Sequence, residues 1–165
     1  MEQRLKYTQV AHPGVEILQD LEAYIEKSGL EPDLVELVKL RASQINGCAF
    51  CIDMHTKDAR TRGESEQRLY GVSAWRETPF YTERERAALA WTEAVTLIGE
   101  DHVPDEIYAL AKAHFTDREL VDLTLAVIAI NAWNRLAISF RTPPGSYQPG
   151  HPVSKKGSPE REKIG

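Results

Sequence analysis

The chain has 165 residues, of which 42% are hydrophobic and 27% charged, a balance typical of a globular domain with a hydrophobic core of its own. Its formal net charge of −5 argues against a protein that binds nucleic acid, because such proteins carry an excess of basic residues. Residues 1–7 have mixed charge and no apolar run, so we expect no secretory signal and a cytoplasmic location. The longest uncharged apolar run, residues 123–133, is shorter than a bilayer requires, so we also expect no membrane span.

Signals for helix starts and ends recur along the chain, and no segment alternates apolar and polar residues as a strand would. Proline in the first turn, glycine after the last, and the capping boxes that open at Thr82 and Thr116 mark the boundaries. The pattern predicts about seven helices, over residues 13–28, 32–45, 48–62, 65–70, 83–98, 104–114 and 117–140. We therefore expect an all-α bundle.

The last predicted helix is apolar on nearly every face from Leu120 to Phe140. A helix without a polar face is buried all round, and we expect part of that burial to come from another subunit. From residue 142 onward proline and glycine are frequent and apolar residues few, a composition typical of a flexible tail. We therefore divide the chain into a helical domain, residues 1–141, and a tail, residues 142–165, which we expect to lie across a neighbouring subunit.

The two cysteines of the chain, Cys48 and Cys51, follow the helix stop Asn46-Gly47 and begin the next predicted helix. At ~100° per residue, both cysteines and His55 share one stripe of that helix, and His55 lies one turn beyond Cys51. An imidazole at this position can accept a thiol proton or stabilise the thiolate. The unpaired N–H groups at a helix start favour a thiolate as well.

Three interpretations fit this spacing. The first is a redox dithiol, which needs two thiols within reach of each other and a group that ionises one of them. The second is a zinc site of Cys48, Cys51 and His55, for which no fourth ligand of the usual kind is evident. The third is a pair of small buried residues that happen to lie three positions apart. In the cytoplasm such a pair is usually catalytic or metal-binding; we favour the dithiol and expect neither a metal nor a cofactor.

The spacing Glu36-x11-Cys48-x2-Cys51-x3-His55 resembles the signature of the AhpD-like alkylhydroperoxidase family, within the carboxymuconolactone decarboxylase superfamily. The likeness extends over roughly residues 10–140. The resemblance implies an all-helical fold, an obligate oligomer and the reduction of hydroperoxides through the cysteine pair. It also implies that the glutamate and the histidine form a proton relay.

Carried over residue by residue, the resemblance makes Cys48 and Cys51 the redox pair, His55 the proton acceptor and Glu36 the residue that orients His55. Periodicity alone places Glu36 opposite the apolar face of its helix and predicts a solvated carboxylate. The resemblance predicts instead a buried Glu36 within hydrogen-bond reach of His55. The best-known peroxidases of the family carry a second histidine where this chain has Phe50, which implies a weaker peroxidase or a different reductant.

The leading hypothesis is a thiol-dependent hydroperoxide reductase, whose substrate is a hydroperoxide and whose disulfide is reopened by an external dithiol or lipoyl-type reductant. Contact with His55 favours Cys51 as the attacking cysteine, whereas Cys48 lies nearer the helix start. One alternative is a decarboxylase of a carboxylactone, as in the wider superfamily, which needs no dithiol. The other is a redox-sensing protein that uses the same disulfide as a switch. We expect a homo-oligomer, a trimer or a hexamer.

The remaining polar and aromatic candidates are expected to be structural. Asp53 is predicted to be a surface or interface charge, and the tryptophans are predicted to belong to the core: Trp91 and Trp133. Polar residues that interrupt the last helix are expected to form structural or interface hydrogen bonds: Asn131, Asn134 and Arg135. The other histidines are expected to be caps or surface residues: His12, His102, His114 and His151.

Overall fold

The computed structural model describes residues 2–150, which form nine α-helices and one 3-10 helix, with no strand among them. The predicted all-α fold is therefore confirmed. The α-helices are α1 (Tyr7–Val10), α2 (His12–Ile25), α3 (Pro32–Asn46), α4 (Ala49–Thr61), α5 (Glu66–Gly71), α6 (Glu83–Thr96), α7 (Ile98–Asp101), α8 (Asp105–His114) and α9 (Asp117–Ser139). The 3-10 helix, Val72–Glu77, follows α5 directly.

Seven of the nine α-helices correspond to the seven predicted ones, and the other two are single turns, α1 and α7. A four-residue helix is too short to show hydrophobic periodicity, so the sequence pattern could not reveal either of them. The predicted helix over residues 83–98 was too long, because the chain leaves the helical conformation at Leu97 (φ −98°, ψ 28°) before α7 begins.

Both predicted capping boxes are present. The Thr82 side chain accepts a hydrogen bond from the backbone N–H of Glu85, whose carboxylate in turn accepts from the Thr82 N–H at 2.7 Å. Thr116 and Glu119 make the same reciprocal pair at the start of α9, at 2.8 Å. Each box satisfies N–H groups that the first turn leaves without a partner, and so fixes where α6 and α9 begin.

Helix α3 lies at the centre of the fold, packed against α4, α6 and α9. Leu34 and Val38 belong to an apolar cluster with α2, α6, α8 and α9. Leu37 and Leu40 belong to a second cluster with α4, α5, the 3-10 helix and α6. Ala42 packs in a third cluster, with α9 and the two cysteines. Helix α3 is therefore buried on several sides, although its sequence shows only one clearly apolar face.

Because α3 is surrounded, the cations on its inner turns need partners, since an unpaired charge is costly to bury. Lys39 forms an ion pair with Glu22 of α2. Arg41 forms one with Glu93 of α6, with Nε 2.8 Å from the carboxylate. These pairs tie α3 to two different neighbours.

Helix α9 is not covered on all sides by its own chain, which is compatible with the expectation that another subunit supplies part of its burial. Its inner face is buried, but Val121, Ile128 and Ile138 are 57%, 49% and 45% exposed. They are the large apolar side chains that α9 leaves exposed, and we refer to the three together as the α9 strip. By length and composition alone, α9 is also the one helix in the described part of the chain that could cross a bilayer, a test that the core helix of a water-soluble protein passes as well.

The junction between α3 and α4 is a tight turn through Gly47, which has a left-handed backbone (φ 69°). The Gly47 N–H donates to Gln44 O, and the Cys48 N–H donates to Ser43 O at 2.9 Å. This is the paired closure that glycine allows at a helix end. It makes Cys48 the second residue after α3 and the N-cap of α4.

The chain turns back after α9 and runs over α4. Residues 142–150, here called the C-terminal segment, contain no helix. Lys57 Nζ donates to Tyr147 O at 3.1 Å, and the Gly145 N–H donates to Asp53 Oδ2 at 3.0 Å. The described part of the predicted tail thus lies on α4 of its own chain, and residues 151–165 lie outside the described residues.

The left-handed turn yields a stability prediction. A side chain at position 47 would be strained because its φ is +69°, so Gly47→Ala should lower the free energy of unfolding by about 1 kcal/mol. Gly14, in the first turn of α2, has no such φ and nothing within 4 Å of a built Cβ. Gly14→Ala is therefore the matched control and should be neutral or mildly stabilising. Urea unfolding measures both, and equal effects would contradict the strain argument.

Candidate active site

The turn at Gly47 places both cysteines at the start of α4. Cys48 is the N-cap residue, and its sulfur accepts a hydrogen bond from the Cys51 N–H at 3.4 Å. The two cysteines are joined by a disulfide, with their α-carbons 5.4 Å apart, inside the range of about 4.4–6.8 Å that such bonds require. Each is only 1% exposed. With the sulfurs bonded to each other, this state offers no thiolate to a zinc ion.

Glu36 and His55 form a buried pair between α3 and α4. The His55 Nδ1 atom lies 2.9 Å from Glu36 Oε2, and the two side chains are 6% and 12% exposed. A carboxylate at Nδ1 holds the proton there and leaves Nε2 as the acceptor. The Nε2 atom is buried and has no hydrogen-bond partner in the described structure. The imidazole is therefore oriented with one nitrogen fixed and the other free to take a proton.

The charge of Glu36 is stabilised by its surroundings. Burial on its own would raise the pKa of Glu36, but the hydrogen bond from His55, helped by the positive charges of Lys39 and Arg62, brings the pKa below its ordinary value. Glu36 is thus an anion at neutral pH. Helical periodicity predicted a solvated carboxylate here, and that expectation is wrong because α3 is buried on the side that Glu36 shares with α4.

Asp58 is a second acidic residue at this site, and the sequence analysis missed it. Glu36, His55 and Asp58 bring ligand-type atoms within 4.8 Å of one another. The Tyr147 hydroxyl lies 2.8 and 3.0 Å from the two Asp58 carboxylate oxygens. A helical wheel could have found Asp58, which follows His55 by three residues on one stripe. Nothing in the tail sequence distinguishes Tyr147.

A cavity of about 690 Å³ opens beside these residues, within the range of about 300–1,000 Å³ usual for sites that bind small molecules. Cys51, His55 and Glu36 line it, whereas Cys48 does not. Its apolar wall includes Phe50, the residue that stands where known peroxidases of the family have a histidine, and also Met54 and Trp133. The structure thus brings three of the four predicted site residues to one cavity and bonds the fourth to Cys51.

Trp133 was predicted to be a core residue, but it forms part of the wall of this cavity. It is only partly buried and packs against the cluster that holds the cysteines. Its indole Nε1 donates to Glu22 Oε1 at 3.1 Å, while the other Glu22 oxygen pairs with Lys39. The tryptophan ring is thereby fixed at the cavity by a polar contact with α2. Trp91, by contrast, lies in the core, 7% exposed.

A network of amides supports the turn that carries the cysteines. Asn46 Nδ2 donates to Asn131 Oδ1 at 2.9 Å and to Asn134 Oδ1 at 2.8 Å. Asn134 Nδ2 in turn donates to Ser43 Oγ at 3.1 Å. The polar residues of α9 therefore hold the end of α3 in place, as expected for buried amides.

The other sequence candidates lie away from the cavity. Asp53 is a partly exposed charge that anchors the C-terminal segment. Three of the remaining histidines are not among the residues that line the cavity: His12, His102 and His114. His151 lies outside the described residues.

Comparisons with known proteins agree with this architecture. The sequence profile of the carboxymuconolactone decarboxylase family matches residues 15–94. The uncharacterized protein YdfG of Bacillus subtilis (strain 168) is 48% identical over 140 residues, which cover 85% of this chain and 95% of that protein. The uncharacterized protein YnjA of Escherichia coli (strain K12) is 31% identical over 102 residues, which cover 62% of this chain and 56% of that protein.

A solved structure from Agrobacterium tumefaciens has the same fold. That protein is of unknown function, and a role as the antioxidant defence protein AhpD has been suggested for it. It is 46% identical to this chain, superposes with a TM-score of 0.86, and the match covers 88% of this chain and 100% of the other. The chain belongs to the carboxymuconolactone decarboxylase family, among its AhpD-like members.

Proposed function

We propose that the protein is a thiol-dependent hydroperoxide reductase. The observation that carries this proposal is the shared cavity, onto which Cys51, bonded to Cys48, opens beside His55 and Glu36. A redox-active disulfide, an oriented base and room for a small molecule are the parts that this reaction needs. The cavity also supports Cys51 as the attacking residue, because Cys48 does not line it.

The reaction begins when His55 Nε2 takes the proton of the Cys51 thiol. The thiolate attacks the distal peroxide oxygen, the O–O bond breaks, and the alkoxide leaves as an alcohol after taking up a proton. Cys51 is then a sulfenic acid. The Cys48 thiol attacks that sulfur, water leaves, and the disulfide seen in this structure forms. The peroxide is reduced by two electrons, which both come from the cysteine pair.

An external dithiol restores the enzyme by exchange with the disulfide. The two sulfurs belong to residues that are 1% exposed, so the reductant has to enter the cavity to reach Cys51. A slim dithiol on a flexible arm, of the lipoyl type, suits this access better than the surface of a folded protein. A cytoplasmic location, where thiols are kept reduced, fits the same cycle.

The cysteine pair can be tested directly. With peroxide and either dithiothreitol or dihydrolipoamide, the wild type should consume peroxide through many turnovers. Cys51→Ser should lose this activity completely, whereas Cys48→Ser should still form a sulfenic acid that a dimedone probe traps at Cys51. Steady consumption separates the enzyme from a redox sensor, which is oxidised once and stops. Wild-type protein that oxidises without turning over would overturn the proposal.

Glu36 is expected to act by orienting His55. Glu36→Gln should slow thiol oxidation by peroxide roughly tenfold or more, because the imidazole loses the carboxylate that stabilises its positive charge. Glu93→Gln is the matched control, since Glu93 is also a buried ion-paired carboxylate, 13% exposed, but pairs with Arg41 away from the cavity. Stopped-flow oxidation of the reduced proteins measures both. Equal rates for Glu36→Gln and the wild type would count against the relay.

We also propose that the protein is a homo-oligomer, a trimer or a hexamer, that buries the α9 strip. Val121, Ile128 and Ile138 are large apolar side chains about half exposed on one helix, and apolar patches on soluble proteins commonly mark interfaces. The C-terminal segment is held on α4 and leaves these three side chains exposed.

Charge placed on the α9 strip should weaken this assembly. Ile128→Asp should shift the sedimentation coefficient toward that of a monomer at micromolar concentration, because an ionised carboxylate cannot be buried without a partner. Tyr70→Asp, on the exposed face of α5, introduces the same charge elsewhere and should leave the sedimentation unchanged. A wild type that sediments as a stable monomer would refute the assembly.

A further inference from the structure

The C-terminal segment brings a hydroxyl into the catalytic cluster. Tyr147 Oη donates toward the Asp58 carboxylate, 2.8 Å from Oδ1 and 3.0 Å from Oδ2. Asp58 is itself within 4.8 Å of the Glu36–His55 pair, and both Asp58 and Tyr147 line the cavity. A residue from a segment with the composition of a linker therefore contacts a carboxylate that lies beside the Glu36–His55 pair.

We propose that Tyr147 is a positioning residue of this site, which keeps Asp58 ionised as a second carboxylate beside the Glu36–His55 pair. When His55 accepts the Cys51 proton it becomes a cation, and two carboxylates then stabilise the imidazolium in place of one. The proton moves from Cys51 sulfur to His55 Nε2 and no electron is transferred in this step. This inference rests on the proposed function and adds the C-terminal segment to its machinery.

The segment is held firmly enough to place a hydroxyl. At the end of α9, Arg141 adopts a left-handed backbone (φ 54°), and the Thr142 N–H closes the helix on Ala137 O at 2.9 Å. Further along, Lys57 Nζ holds Tyr147 O, and Asp53 holds the Gly145 N–H. Three backbone groups are thus fixed on both sides of the Pro-Pro pair, and the Tyr147 ring is directed into the cavity.

Several charged groups surround Asp58, and their balance sets its ionisation. Glu36 of α3, His55 of α4 and Arg62, which caps α4, act on Asp58 directly, while Lys39 of α3 and Glu22 of α2 line the same cavity as an ion pair. Burial raises the pKa of Asp58 above its ordinary value, and the charge of Glu36 raises it further. The Tyr147 hydrogen bond is the strongest contribution in the opposite direction, ahead of His55 and Arg62.

The hydroxyl of Tyr147 is well suited to this task. Burial raises the pKa of Tyr147, and the hydrogen bond to Asp58 raises it further. The phenol therefore stays protonated at neutral pH and acts as a donor only. Removing the hydroxyl takes away the strongest interaction that favours the ionised carboxylate, so Asp58 would bind its proton at a higher pH.

The test is the pH dependence of Cys51 reactivity in Tyr147→Phe. All proteins carry Cys48→Ser, so that the label reports Cys51 alone, and two probes are used: iodoacetamide and cumene hydroperoxide. Reactivity that needs ionised Asp58 falls as the pH falls through the pKa of that carboxyl. Because Tyr147→Phe raises this pKa, the acid limb should move to higher pH by roughly one unit, the worth of one hydrogen bond to a charged group.

The matched control is Tyr24→Phe. Tyr24 also donates to a carboxylate, Asp122 Oδ1, at 2.7 Å, but neither residue lines the cavity. This variant should leave the acid limb unchanged. Asp58→Asn removes the titrating group, so its profile should lack the Asp58 limb, and adding Tyr147→Phe to it should change nothing more.

The outcomes separate this inference from the proposed function. An acid limb that does not move in folded Tyr147→Phe, or that moves equally in the Asp58→Asn background, overturns the role of Tyr147. If the iodoacetamide profile shifts as expected while the wild type consumes no peroxide, the role of Tyr147 stands and the reductase proposal fails. Because Asp58→Asn makes its own prediction, the test holds even if Tyr147→Phe loosens the segment.

Discussion

The site depends on one constraint: helix α3 is surrounded by other helices, so each charge on its inner turns must find a partner. Glu36 pairs with His55 of α4, Lys39 with Glu22 of α2, and Arg41 with Glu93 of α6. These pairs differ in what else they touch. Glu22 and Glu93 also accept from tryptophan indoles, which completes their hydrogen bonding, whereas His55 keeps an unpartnered Nε2. Of the three pairs, only Glu36–His55 is left with a group that can take up a proton.

The fold was largely predictable because the ends of its helices are determined by residues that are close together in the sequence. Two capping boxes, and the Asn-Gly stop before Cys48, mark boundaries through contacts among neighbouring residues. The cysteine stripe was predictable for the same reason, since spacing along one helix fixes which side chains align. Glu36 was different. The periodicity of α3 predicts an exposed side chain, whereas its burial results from the packing of α3 against α4. Tertiary packing of this kind is not visible in a local pattern, so only the family resemblance predicted it.

Two left-handed helix ends show where local signals stop being sufficient. Gly47 ends α3 and places Cys48 at the N-cap of α4. Glycine is common at left-handed helix ends, so the sequence predicts this turn. Arg141 closes α9 with the same pair of backbone hydrogen bonds and sends the C-terminal segment back over α4. Arginine at this position does not predict a left-handed backbone, and the proline-rich composition after it predicts a flexible tail. The contacts that hold the segment come from α4, about 90 residues away in sequence, so no local pattern could have placed Tyr147.

An imidazole beside two carboxylates can serve a metal ion as readily as a proton, and the ligand-type atoms of Glu36, His55 and Asp58 lie within 4.8 Å of one another. Here Glu36 accepts from His55, and Asp58 accepts from Tyr147, so each carboxylate is turned toward a hydrogen-bond donor. Among the described residues, the open acceptor is the Nε2 atom of His55, and the Glu36 carboxylate at Nδ1 can stabilise the charge of a proton taken up there. Cys51 lines the same cavity, and its thiol is where such a proton would originate.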